Sequence, residues 1–128
     1  MLKRFILPLL LLLVSVSACT QTPTAIPTSG IEGRATEGPM CPGPVRVGDN
    51  SCPDQPYQAN IIVLDSDNNK ITQIQADANG YFIIPLDPGT YTLHPEPGKP
   101  FPIAADQTVV VTVGQYTQVS ILYDTGMR

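Results

Sequence analysis

The residues able to do chemistry are few and scattered. Asp65-Ser-Asp-Asn-Asn69 sets oxygen-bearing side chains at alternate positions, the spacing from which a calcium loop draws ligands. An EF-hand loop begun at Asp65 needs glycine at position 70 and glutamate at position 76, where this chain has Lys70 and Ala76. A tight hairpin turn uses the same residue types, so Asp65, Asp67 and Asn69 are weak metal candidates and a turn is the simpler reading. His94 is the sole histidine. By alternation it shares an outward strand face with Thr90 and Thr92, with no carboxylate beside it in sequence, which describes a solvent-facing residue rather than a proton shuttle. Asp124-Thr-Gly126 matches the tripeptide around an aspartic protease nucleophile, but that chemistry needs two carboxylates sharing one proton. The sequence holds one copy, at the exit of a strand where Asp124 accepts backbone hydrogen bonds. No serine–histidine pairing has a recognisable spacing. The expectation is a protein with no catalytic residues, no resident metal and no cofactor.

The chain opens on a targeting segment. Lys3 and Arg4 precede an apolar run from Phe5 to Val16, too short for a membrane span of ~20 residues. The run ends Val16-Ser17-Ala18-Cys19, small residues followed directly by cysteine. This resembles the lipobox of bacterial lipoproteins. The resemblance implies cleavage of residues 1–18, a thioether link from Cys19 to diacylglycerol, and acylation of the new amino terminus with fatty acid such as palmitate. Several acyl chains on one residue give stable anchoring, which one chain does not. Residues 19–29, rich in Thr and Pro and without charge or apolar period, read as an extended tether.

What remains is about 110 residues, enough for one small domain, expected over 30–128. The formal charge of the whole chain is −4, and loss of Lys3 and Arg4 makes it about −6. Such a chain lacks the clustered cations that nucleic acid requires, and it does not adhere electrostatically to anionic lipid. With Cys19 lipidated, Cys41 and Cys52 are left. Outside the cytoplasm that pair is expected as a disulfide, which would stabilise by ~2–3 kcal/mol through loop closure. Two cysteines and a distant histidine do not complete a four-ligand zinc site.

Strands dominate the rest. Gly30–Gly38 alternates weakly and carries three glycines, which suggests a strand at a sheet edge. Residues 39–56 read as an irregular loop ordered by the disulfide. In 58–65, Ala59, Ile61 and Val63 oppose Ile62 and Leu64, so both faces are apolar, as in a central strand. Lys70 to Ala76 alternates, with Thr72, Ile74 and Ala76 opposite Ile71, Gln73 and Gln75, and one face of it is wet. Asp77-Ala-Asn-Gly80 and Asp87-Pro-Gly89 are turns that introduce Tyr81–Ile84, a short buried strand, and Thr90–His94, with Tyr91 and Leu93 inward. A second Pro-rich loop spans 96–102. Val109, Val111 and Val113, then Val119, Ile121 and Tyr123, mark two final strands. Seven short strands without helical period predict a single seven-stranded antiparallel β-sandwich.

The segment from Thr72 to Leu93 resembles the carboxypeptidase regulatory-like family of prealbumin-like, Ig-like sandwiches. The matching residues are Gly33, Asp77-x-x-Gly80-x-Phe82, and Leu86-x-Pro88-Gly89-x-Tyr91-Thr92-Leu93. The resemblance implies a seven-stranded sandwich that serves as a non-catalytic module beside peptidases, receptors and surface proteins. Transthyretin-like hydroxyisourate hydrolases use several histidines and a C-terminal Tyr-Arg-Gly-Ser, neither of which is present. The functional expectation is a cell-envelope lipoprotein, held at the cell membrane or outer membrane through Cys19, that binds an envelope protein or polysaccharide. The 39–56 and 96–102 loops are the expected contact surface. A small-ligand or calcium-binding carrier is the alternative, and a hydrolase the least favoured.

Overall fold

The computed structural model describes Cys19, residues 27–43, Gly48 and residues 52–127. The expected signal segment 1–18 and residues 20–26 of the expected tether lie outside the described residues, as do 44–47, 49–51 and 128. Eight strands are present: β1 (Gly30–Gly38), β2 (Gln55–Pro56), β3 (Asn60–Leu64), β4 (Lys70–Gln75), β5 (Tyr81–Pro85), β6 (Gly89–Pro95), β7 (Gln107–Val111) and β8 (Tyr116–Asp124). They form two sheets. Sheet B runs β4-β3-β6-β7 and is antiparallel throughout. In sheet A, β1 pairs along its whole length with β8, in parallel, from Gly30–Tyr116 to Gly38–Asp124. Its other edge pairs antiparallel with β5 and then β2. Ala35 marks the junction, donating its N–H to Gly80 and accepting from Tyr57 N–H.

Three expectations are thereby corrected. The strand count is eight, because Gln55–Pro56 adds a two-residue strand inside the expected loop. The sandwich is not purely antiparallel. And β1 lies at the centre of its sheet, not at an edge. Its glycines are there for close approach: a Cβ on Gly33 would run into the Val119 carbonyl and reach within 2.9 Å of the Phe82 ring. Glycine in a strand marks such an approach as readily as a weak edge.

The core forms where the sheets face each other. Sheet A contributes Ile31, Ala35, Phe82, Ile84, Ile121 and Tyr123, and sheet B contributes Ile61, Val63, Leu93, Val109 and Val111. The shared face read from β8 matches the burial pattern, β4 has one exposed face as expected, and in β3 Ile61 and Val63 are fully buried while Ile62 and Leu64 are half-buried. Val113, expected inward, is 79% exposed, because β7 ends at Val111 and a turn follows. The β5 strand is buried on one face alone, with Phe82 and Ile84 inside and Tyr81 and Ile83 outside.

Residues just before Gly30 also contact the sandwich. Ser29 is buried and donates through its hydroxyl to the Leu86 carbonyl at 2.7 Å, while the Leu86 N–H returns to the Ser29 carbonyl at 3.0 Å. Pro27 accepts from the Tyr116 hydroxyl at 3.4 Å. The last residues assigned to the tether are docked on the sandwich.

Candidate binding surface

Two turns of identical construction govern what β4 and β5 present. In the first, Asp65 Oδ1 accepts the N–H groups of Asp67 and Asn69, both at 2.9 Å, and Asn68 adopts φ 62°. In the second, Asp77 Oδ1 accepts the N–H groups of Asn79 at 2.8 Å and Tyr81 at 2.9 Å, and Gly80 adopts φ 79°. Aspartate folding back on its own backbone explains both sequences as turns. The oxygen-rich run at Asp65, Asp67 and Asn69 is thus ordered by its own N–H groups. Among the described residues no group of three or more His, Cys, Asp or Glu side chains could hold a metal ion.

The turns differ in what they join. The Asp65 turn closes a hairpin within sheet B, whereas the Asp77 turn carries the chain from sheet B to sheet A. It also occupies the outer edge of β5. Hydrogen bonds at Ser29–Leu86 and Ala35–Gly80 fix the register, so Tyr81, Ile83 and Pro85 turn their backbone groups away from β1. Tyr81 spends its N–H on Asp77 Oδ1 and its carbonyl on Asp77 N–H. Pro85 has no N–H. Ile83 is left as the one residue of β5 with a donor aimed outward, so the edge is guarded against strand addition.

The outer face of sheet A, by contrast, is open. It forms a concavity of about 600 Å³ lined by β5, β1 and β8. Strand register sets two rows across it. One row is Ile83, Glu32 and Gln118; the other is Tyr81, Arg34 and Ser120. Each row therefore runs from an apolar or aromatic flank, through a charge on β1, to an amide or hydroxyl on β8. Ile83 is 62% and Tyr81 53% exposed. Gln118 donates to Glu32 Oε1. Arg34 is fixed by a 3.2 Å bond from Nε to the Asn79 carbonyl, and its guanidinium lies 5.1 Å from the Tyr81 ring centroid, within cation–π range. A smaller concavity of about 300 Å³ separates Ile74 and Gln75 on β4 from Tyr81 and Ile83 on β5.

A second exposed region lies at one end of the sandwich. Cys41 and Cys52 are joined by a disulfide with Cα atoms 5.9 Å apart. The chain exit ties this loop to the 96–102 loop. Thr125 donates its N–H to Gly38 and its hydroxyl to Pro39, and Gly126 lies against the Phe101 ring. Phe101, Ile103 and Met127 are exposed. The structure thus brings together the two loops expected to form a contact surface. Asp124 accepts from Gly126 N–H at 2.8 Å and its backbone bridges Ile103, a strand end as expected.

His94 faces solvent from β6, yet its Nδ1 lies 2.7 Å from Asp106 Oδ1. Sequence proximity could not show this partner, because Asp106 approaches across the 96–106 connection. Cys19 is exposed and unpaired. No described helix is long and apolar enough to cross a membrane. Two tyrosines have displaced acidities. Burial, then the charges of Asp87 and Asp65, raise the pKa of Tyr91, whose hydroxyl donates to the Asp87 carbonyl at 2.7 Å. Tyr123 is raised much further, by burial first and then by Tyr57 and Glu96. Its hydroxyl has no hydrogen-bond partner among the described residues, and its ring packs 4.6 Å from that of Tyr57.

The residues of the concavity were missed in the sequence. Each shows only as an outward position of an alternating strand, and their convergence depends on the strand order β5-β1-β8, which reading β1 as an edge conceals.

No protein-family profile matches the chain, and no curated protein matches it. Among solved structures, GBS52, the minor pilin of the Gram-positive pathogen Streptococcus agalactiae, aligns with a TM-score of 0.59 at 12% identity, covering 80% of this chain and 47% of that one. The TIE protein of Bacillus anthracis aligns at 0.47 with 15% identity, over 74% of this chain and 18% of that one. The chain spans about half the length of the pilin it matches. The pilin likeness carries the fold alone, and the fold is a two-sheet β-sandwich.

Proposed function

We propose that the chain is a non-catalytic, lipid-anchored module of the cell envelope that binds an envelope protein or polymer through the outer face of sheet A. The observation that carries this is the concavity itself: charged, aromatic and amide side chains converge on three paired strands, and rigid elements hold recognition groups better than loops. The extracytoplasmic address rests on the lipobox resemblance at Cys19 and on the Cys41–Cys52 disulfide, a bond that persists in oxidising compartments. Similarity in fold to a pilin is consistent with that address. The carboxypeptidase regulatory-like reading keeps its motif residues in suitable places, with Phe82 and Leu93 in the core and Gly80 in a turn, and it too implies a binding module.

The anchor and the surface are tested separately. Cys19→Ser should move the protein from the membrane fraction to the soluble fraction. A Tyr81→Ser/Gln118→Ala double variant, still lipidated, should lose at least half of the partner cross-linked by the wild type in intact envelopes. Retention of the full cross-link would exclude this face as the contact surface.

A further inference from the structure

Resting on that reading of the sheet A face, we infer that its ligand is a saccharide carrying a carboxylate, such as a uronic acid unit, with the carboxylate seated on Arg34. Three observations lead there.

The first is Arg34. Its Nε is bound to Asn79 and its plane is set by Tyr81, but its two terminal nitrogens have no partner among the described residues. A guanidinium whose stem is immobilised and whose fork is open suits two parallel bonds to a carboxylate. The entropy cost of ordering the side chain is already met by the fold.

The second is the rest of the lining. Gln118 uses one amide N–H on Glu32 Oε1, leaving its second N–H and its carbonyl oxygen, the second Glu32 oxygen and the Ser120 hydroxyl among the polar groups of the lining residues. These include both acceptors and donors, matched to hydroxyl groups that donate and accept. Ile83 and the edge of Tyr81 offer an apolar flank for the carbon face of a sugar ring. One cation and one anion leave the concavity neutral, which suits a ligand with spaced carboxylates better than a dense polyanion. The acidic chain as a whole would repel the latter.

The third observation separates a saccharide from a peptide. An extended peptide gains affinity chiefly by adding its backbone to a sheet edge. Of the two edges that border the concavity, β5 offers one outward N–H, at Ile83, because Asp77 occupies Tyr81 and Pro85 has none to give, and β8 has committed its Ser120 carbonyl to Gln107 and its Asp124 N–H and carbonyl to Ile103. Across the face of the sheet, the ladder has already used the backbone groups. A peptide lying there would leave its amides without backbone partners, whereas sugar hydroxyls meet side chains.

The test is calorimetry and amide chemical-shift mapping on the full chain in detergent micelles. The probes are a galacturonate trisaccharide, its neutral galactose counterpart, and an N-acetylated tetrapeptide with a free C-terminal carboxylate. The galacturonate should bind and shift amides of β1, β5 and β8. The neutral sugar, and galacturonate on the Arg34→Gln variant, should each bind at least about tenfold more weakly, the loss expected when a charge-assisted bond is removed. Lys70→Gln, on sheet B, should leave affinity unchanged. Tetrapeptide binding as tight as galacturonate would overturn the saccharide assignment in favour of a peptide carboxylate. Absence of galacturonate binding, or binding indifferent to Arg34→Gln with an unchanged melting temperature, would overturn it as well. If galacturonate fails while the Tyr81→Ser/Gln118→Ala variant still loses the envelope cross-link, the ligand class is wrong and the surface is right. If both fail, the surface is wrong too.

Discussion

The concavity on sheet A and the loop end around Phe101 are both exposed and partly apolar, but they are held in place by different means. Every residue lining the concavity stands on β1, β5 or β8, and β1 is paired on both edges. The loop end depends on one disulfide, two hydrogen bonds from Thr125 and the packing of Phe101 on Gly126. The large apolar side chains it exposes, Phe101, Ile103 and Met127, stand on the chain exit and the 96–106 connection rather than on paired strands. The contrast separates an exposed surface from an organised one. Recognition needs donors and acceptors whose positions survive without the ligand, and in this molecule the ladder provides that, not the loops.

The comparison is most sharply broken at Gly33. A Cβ there meets the Val119 carbonyl and the Phe82 ring, so Gly33→Val should force β8 or β5 away from β1 and cost about 1–3 kcal/mol or more. The variant should unfold earlier in urea and lose ligand binding together, while a substitution at exposed Phe101 does neither. Removing the disulfide by Cys41→Ser/Cys52→Ser comes next, with a cost of ~2–3 kcal/mol from the freed loop. Amide shifts should change around Pro39 and Thr125 and stay unchanged at Tyr81, Arg34 and Gln118. A concavity disturbed by this variant would show that the two regions are coupled.

Smaller effects come from the paired turns. Asp77→Ala removes the acceptor for two N–H groups and should destabilise by about 1–2 kcal/mol. It also frees the Tyr81 N–H, so ligand binding should weaken. Asp65→Ala breaks the same two-bond geometry on sheet B and should cost a similar amount with binding intact. The smallest effect is at Tyr123. Its buried hydroxyl has no partner, so Tyr123→Phe should change stability little, within about 1 kcal/mol. The raised pKa of Tyr123 means that the folded protein holds a phenolic proton that the unfolded chain releases near pH 10. Wild-type stability is therefore full below that pH and falls as pH rises above it. The Tyr123→Phe variant should show a flatter alkaline limb when melting temperature is followed from pH 8 to 11.

Much of this fold was legible because period-2 alternation is a local property. Leu93, Val109 and Val111, and Ile121 and Tyr123 declared their shared face in the sequence, whereas β3 and β5 read as apolar on both sides. The turns were legible too, since Asp77-Ala-Asn-Gly80 and Asp65-Ser-Asp-Asn-Asn69 are solved by their own side chains. Strand order was not local. Gly33 signals equally a weak edge and a close packing contact, and the difference lies in Val119 and Phe82, residues far away in the chain. Taking β1 for an edge hid the parallel β1–β8 pairing and dispersed Arg34, Tyr81 and Gln118 onto strands that seemed unrelated. Asp106 beside His94 was hidden for the same reason, as a contact made by a connection rather than by spacing. The two-residue β2 strand lay within a Pro-rich loop with no alternation to reveal it.

The account turns on which surface meets the partner. A photo-cross-linking residue placed at Ile83, on the rim of the concavity, and separately at Phe101, at the loop end, would decide it in intact envelopes with the protein expressed from its full sequence. Both positions are exposed, so neither substitution should disturb the core. The account predicts a discrete adduct from position 83, competed by galacturonate oligosaccharide, and none from position 101. An adduct from 101 with none from 83 would contradict it and return the contact surface to the loops.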